Sequence, residues 1–84
     1  MPRYLVIAMR KPEFQPAAIE PHHAFVNRLR EQDKLELSGA FTDKSGGAYV
    51  LKAANLEQAK ALAFSDPLHT TNSSSLTIYE WNAK

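Results

Sequence analysis

Residues 21–29, Pro21-His22-His23-Ala24-Phe25-Val26-Asn27-Arg28-Leu29, decide how the rest of the chain is read. Pro21 suits the first turn of a helix, where its missing N–H costs nothing, and Phe25, Val26 and Leu29 then recur at helical spacing. His22 stands three, four and seven positions before them and shares their inward face. His23 turns about 100° away and joins Asn27 and Arg30 on the wet side. Only His22 of the two histidines points at the core. An imidazole held there needs a partner for its ring nitrogens, and its unperturbed pKa lies close to neutrality.

N-terminal to this helix, Tyr4 to Arg10 (YLVIAMR) is rich in β-formers. Leu5, Ile7 and Met9 fall on one face and Tyr4, Val6 and Ala8 on the other. A strand apolar on both sides is covered twice. Lys11 to Glu20 holds Pro12 and Pro16 and reads as a surface connection with a short turn around Pro16-Ala17-Ala18. The helix itself is expected from Pro21 to Gln32.

C-terminal to it, Leu35 to Thr42 (LELSGAFT) alternates, with Leu35, Leu37, Gly39 and Phe41 on one side. It reads as a second strand. Asp43-Lys44-Ser45-Gly46-Gly47 is a turn by composition, and Ala48 to Ala54 is the returning strand of a hairpin. Asn55 is a good N-cap for a second helix through Phe64, which Asp66-Pro67 should stop. Leu68 to Ser75 reads as a polar connection, and Leu76 to Asn82 as the last strand, with Leu76 and Ile78 opposite Thr77, Tyr79 and Trp81.

The order is βαββαβ. Its compact right-handed solution is an α+β, ferredoxin-like fold: an antiparallel sheet in the order 4-1-3-2 with both helices on one face. The strand directions then place the start of the first helix and the end of the second at one end of the sheet. His22 and Asp66, distant in sequence, become neighbours there.

A carboxylate beside an imidazole fixes its tautomer and stabilises its protonated form, while the positive end of a helix opposes a cation. The pair is therefore a candidate for proton transfer, with His22 as base or acid and Asp66 orienting it. Gly39, Phe41 and His69 are the candidate binding residues around it. The plainer reading is a satisfied core histidine and an aspartate that ends a helix. His22, Asp66 and His69 offer a weaker two-histidine, one-carboxylate metal triad, with His69 in an irregular loop. No serine has a base at readable spacing, and Gly46-Gly47 lacks the lysine and helix of a phosphate loop.

The chain has 84 residues, no cysteine and a formal net charge of +1 from ten basic and nine acidic residues. That is one domain, residues 1–84. A monomer of this size buries only about 60–65% of its unfolded surface, so a second copy against the doubly apolar sheet is the expected support. There is no disulfide framework, and the first apolar stretch is too short for a signal region or a membrane span. A cytoplasmic homodimer follows, with neither nucleic acid nor membrane as partner, since the basic residues are interleaved with acidic ones.

Several motifs in order, His22-x-x-Phe25-Val26-x-x-Leu29, Lys34-Leu35-x-Leu37-Ser38-Gly39, Asp43-x-x-Gly46-Gly47, Leu56-Glu57-x-Ala59, Asp66-Pro67-Leu68 and Tyr79-x-Trp81, resemble the YciI-like (YCII-related) family. The resemblance covers nearly the whole chain. It implies a dimeric α/β barrel, two ferredoxin-like sheets packed face to face, and a histidine–aspartate active site that falls on His22 and Asp66. An arginine that often precedes the family's histidine is replaced here by the Ala18-Ile19-Glu20 stretch. The usual Gly-Pro after the second strand is Gly39-Ala40. The usual glycine after the Asp-Pro loop is Asn72, which tolerates a positive φ.

Related members look like enzymes of aromatic breakdown, including a dehydrochlorinase. The expectation is acid–base chemistry of lyase, dehydrochlorinase or isomerase type on a small cyclic or aromatic metabolite, with no metal or organic cofactor. A noncatalytic ligand-binding or accessory domain using the same cavity is the alternative. A cofactor-independent oxygenase of the same architecture is a third reading.

Overall fold

The computed structural model describes all 84 residues, Met1 to Lys84. Strand β1 (Arg3–Arg10) runs through the interior of a four-stranded sheet, antiparallel to β3 (Gly46–Lys52) on one side and β4 (Ser74–Trp81) on the other. Strand β2 (Leu35–Ala40) completes the sheet on the outer edge of β3, giving the order β2-β3-β1-β4. This is the expected 4-1-3-2 arrangement named from the other edge, and the ferredoxin-like fold is borne out.

One face of the sheet carries helix α1 (Ile19–Glu31) and helix α2 (Leu56–Ala63). Tyr4 and Val6 of β1, Tyr49 and Leu51 of β3, Phe25, Val26 and Leu29 of α1, and Ala59 and Ala63 of α2 belong to one buried cluster. The alternation in β1 follows the pleat: Tyr4, Val6 and Ala8 are buried beneath the helices. Leu5 and Ile7 point the other way and are only partly covered.

That second face carries no helix. Leu5 opposes Val50 and Tyr79, and Ile7 opposes Ala48 and Thr77. Leu37 (66% exposed), Tyr79 (54%) and Trp81 (45%) leave it broadly apolar.

Local differences from the expected elements have identifiable causes. A register shift between Leu35 and Leu37 pairs Leu35 with Leu51 and Leu37 with Val50. Leu35 therefore faces the core and Leu37 the bare face, because a bulge breaks the two-residue period. Gly46 and Gly47 are not in the turn but begin β3. A Cβ on Gly46 would lie 2.0 Å from the Ala8 carbonyl oxygen, so the close approach of β3 to β1 requires its absence.

The turn is instead closed by Asp43, whose Oδ1 accepts from the Ser45 N–H and hydroxyl, with Lys44 at φ 65°. Pro67, expected only to stop α2, opens a four-residue helix α3 (Pro67–Thr70). Proline is tolerated there because first-turn N–H groups have no intrahelical acceptor. Asn72 takes φ 58°, as its place in the glycine position suggests. A 3-10 turn at Pro16–Ala18 leads into α1.

Candidate active site

His22 sits in the first turn of α1, on the same side as the buried Phe25, Val26 and Leu29. Asp66 follows α2 and caps α3. They meet at one end of the sheet, as the strand directions require. Nδ1 of His22 lies 2.9 Å from Oδ1 and 3.0 Å from Oδ2 of Asp66. His23 is exposed at the rim, its ring centroid 5.9 Å from that of His22.

Asp66 is wholly buried and its carboxylate is fully occupied. Oδ1 accepts the Leu68 N–H at 2.9 Å, and Oδ2 accepts the Tyr49 hydroxyl at 2.9 Å. A buried carboxylate is tolerated only when donors surround it, and here a backbone amide, a phenol and an imidazole do so. Because the two other donors present hydrogens to Asp66, the arrangement is satisfied when Nδ1 of His22 carries the proton as well. Nε2 then holds the lone pair of the neutral ring. Nε2 bonds no group of the chain.

Tyr49 holds its proton tightly. Burial first, then the charge of Asp66 and the hydrogen bond to it, push its pKa far above the ordinary tyrosine value. It serves as a neutral donor that fixes Asp66. His22 and Tyr49 also pack ring to ring, with centroids 6.0 Å apart.

The pair opens onto a pocket of about 150 Å³. His22, Tyr49, Gly39, Gly47, Arg10 and Ser74 are among its lining residues. A cavity of that order holds one benzene-sized ring. Gly39 contributes backbone to the lining: it pairs with Ala48, which opposes Ile7, so a Cβ there would project from the bare face into open space.

The other two expected binding residues are placed elsewhere. Phe41 lies beyond the end of β2, where its N–H bonds the Gly46 carbonyl at 2.8 Å, and it is not part of the lining. His69 is exposed on α3 with its ring against Phe64 at 4.7 Å, because it stands one position, about 100°, round the helix from the buried Leu68. It therefore does not join His22 and Asp66 in a triad, and no three His, Cys, Asp or Glu side chains converge on a common point.

The alternation of strand β3 did not single out Tyr49, although a tyrosine on the covered side of a strand needs a partner for its hydroxyl. The same holds for Arg10 and Ser74. Neither forms part of a short motif, and only the register of β1 with β4 places them side by side.

Comparison with known proteins agrees with this architecture. The chain resembles the uncharacterised protein YjpA of Bacillus subtilis (strain 168), with 41% identity over 81 residues, 96% of this chain and 95% of that protein. Among solved structures it is similar to 5-chloro-2-hydroxyhydroquinone dehydrochlorinase (TftG) of Burkholderia phenoliruptrix AC1100, in complex with 2,5-dihydroxybenzoquinone. That match has a TM-score of 0.76 at 14% identity and covers 98% of this chain and 95% of the other.

An antibiotic biosynthesis monooxygenase superposes with a TM-score of 0.66 at 13% identity, over 100% of this chain and 99% of its own. At such identities the two structures speak to the fold alone. The model of the YCII-related domain matches residues 2–82, and the chain belongs to that family.

Proposed function

We propose that this protein is a small-molecule acid–base catalyst of lyase or isomerase type, with His22 as the proton-transferring group and Asp66 as its orienting partner. The observation that carries the reading is the division of the imidazole. Nδ1 is held by a buried carboxylate, while Nε2, with no partner in the chain, is left for the pocket. In this reading Nε2 takes a proton from an acidic O–H or C–H of a bound ring, and Asp66 stabilises the imidazolium that forms. In an isomerase the proton returns at another position. In a lyase, including a dehydrochlorinase, the released electron pair forms a double bond as the leaving group departs with its own pair.

The pocket size and the similarity to a dehydrochlorinase that binds a dihydroxybenzoquinone support a cyclic or aromatic ligand. Neither step calls for a metal or an organic cofactor. The working unit is a homodimer in the cytoplasm, with the bare sheet faces of two copies packed together. The apolar Leu5, Ile7, Leu37, Val50, Tyr79 and Trp81 on that face support this assembly. No helix is long and apolar enough to cross a membrane.

The test is a turnover screen of halogenated phenols, hydroquinones and cyclic lactones with the wild type, His22→Gln and Asp66→Asn. Loss of general acid–base catalysis should cost about 10²- to 10⁴-fold in His22→Gln. Intact turnover in both variants would refute the dyad. Tight binding indifferent to His22→Ala, without turnover of any bound ligand, would instead establish a noncatalytic binding domain.

A further inference from the structure

Outside the His22, Asp66 and Tyr49 arrangement the pocket lining carries four polar side chains, Arg10, His23, Ser38 and Ser74. Arg10 ends β1 and is paired in register with Ser74 of β4. Both follow the pleat of Ala8 and Leu76 onto the helix-bearing face. Directly opposed residues have Cβ atoms about 4.5–5.5 Å apart, so the two side chains leave the sheet side by side.

The Ser74 hydroxyl is buried, at 3% residue exposure, and has no hydrogen-bond partner in the chain. Its neighbour Ser73 is equally buried but satisfied: its Oγ accepts the Gln15 N–H at 3.2 Å and bonds the Thr71 hydroxyl at 2.6 Å. Ser73 pins the loop that carries Phe14. Ser74 is left to the pocket. Burying an unpartnered hydroxyl costs stability, a penalty that a bound acceptor or donor removes.

The Arg10 guanidinium forms no ion pair with any carboxylate of the chain. It is instead positioned from one side by Phe14, with Cζ 4.1 Å from the ring centroid. Phe14 is itself packed against the small cluster of Ala8, Ala18 and Leu68. Stacking restrains the planar fork and leaves its N–H edge free for a planar anion. The other serine on the lining, Ser38, is already bonded by Arg30 at 2.9 Å. His23, also unbonded, stands exposed at the rim, so Arg10 and Ser74, paired in register, are the recognition groups of the inner wall.

We infer that the pocket selects a ring bearing a carboxylate, with Arg10 pairing with the carboxylate and Ser74 donating a hydrogen bond to it. The inference rests on the proposed function for the identity of this ligand as substrate. The binding site itself is tested without turnover.

The experiment is an NMR titration of the full chain with 2,5-dihydroxybenzoate and, as neutral isostere, 2,5-dihydroxybenzamide. The acid should bind the wild type more tightly than the amide and weaken roughly tenfold in Arg10→Gln, as loss of a charge-assisted bond requires. Arg10→Lys should recover part of the loss, and Ser74→Ala should weaken the acid several-fold. The amide should be indifferent to Arg10.

Equal affinity for acid and amide, an acid affinity unchanged in Arg10→Gln, or no binding of the acid would overturn the inference. Acid binding that persists in His22→Gln, with no turnover of any ring acid by the wild type, would defeat the catalytic reading alone. Turnover that needs His22 but is blind to Arg10 would defeat the carboxylate subsite alone.

Discussion

Tyr49 donates its hydroxyl to Oδ2 of Asp66 at 2.9 Å, on the oxygen that the Leu68 amide does not use. The strand thereby locks a carboxylate that two helical segments present, and the imidazole of His22 is oriented only as well as that carboxylate is. Removing one donor from a buried charge leaves its desolvation uncompensated. Tyr49→Phe should destabilise the fold by about 1.5–3 kcal/mol and lower turnover through loosened positioning. Chemical denaturation at neutral pH measures the first effect, and kcat of the same variant the second.

The same contact gives a pH dependence with a definite sign. The folded protein keeps the Tyr49 proton well above the ordinary range, chiefly through burial and then through Asp66. The unfolded chain releases it near pH ~10. Above that pH the unfolded state binds fewer protons than the folded state, so stability falls as pH rises. Below it the contribution is fully present. Melting temperatures from neutral to strongly alkaline pH should decline more steeply for the wild type than for Tyr49→Phe, and equal slopes would contradict the assignment. Tyr4, raised by burial and by Glu80, keeps a slope of the same sign in both proteins.

The bare face of the sheet supplies a spectroscopic reporter of assembly. Trp81 is the sole tryptophan and is 45% exposed in one copy. Dimerisation through this face should shift its emission to the blue as concentration rises, with sedimentation as a dimer at micromolar concentration. Tyr79→Lys should abolish both while costing the monomer little, since a lysine on an exposed strand face remains solvated. A wild type that sediments as a monomer would rule out the two-sheet barrel.

Gly46 is constrained by the Ala8 carbonyl rather than by a turn conformation. Gly46→Ala should force β3 away from β1 beside the pocket and cost about 1–3 kcal/mol, the usual range for overpacking. The midpoint of a urea transition is the readout. A glycine needed only for flexibility would instead allow alanine to stabilise the chain.

The fold was legible where periodicity is strong. Phe25, Val26 and Leu29 declare the inner face of α1, the alternation in β1 declares a strand apolar on both faces, and the element order leaves one compact topology. Strand direction alone brought His22 to Asp66. The bulge that turns Leu37 away from Leu35 was not legible, because it interrupts the very period from which strand faces are read.

The placement of Gly46-Gly47 misled for a related reason. Glycine pairs favour turns locally, and the backbone approach that selects them in β3 is a long-range contact. Tyr49, Arg10 and Ser74 share that property. Each acquires its role from a partner on another strand or helix, so no local pattern marks it.

The central claim is that Asp66 holds His22 with the proton on Nδ1 and leaves Nε2 as the working base. It is tested most directly by the ring nitrogen-15 resonances of His22, assigned through His22→Gln and recorded at alkaline pH, where the ring is neutral, in the wild type and in Asp66→Asn. A neutral ring protonated at Nδ1 is expected in the wild type, with the tautomer altered in Asp66→Asn. A wild-type ring protonated at Nε2, or identical behaviour in the two proteins, would contradict it.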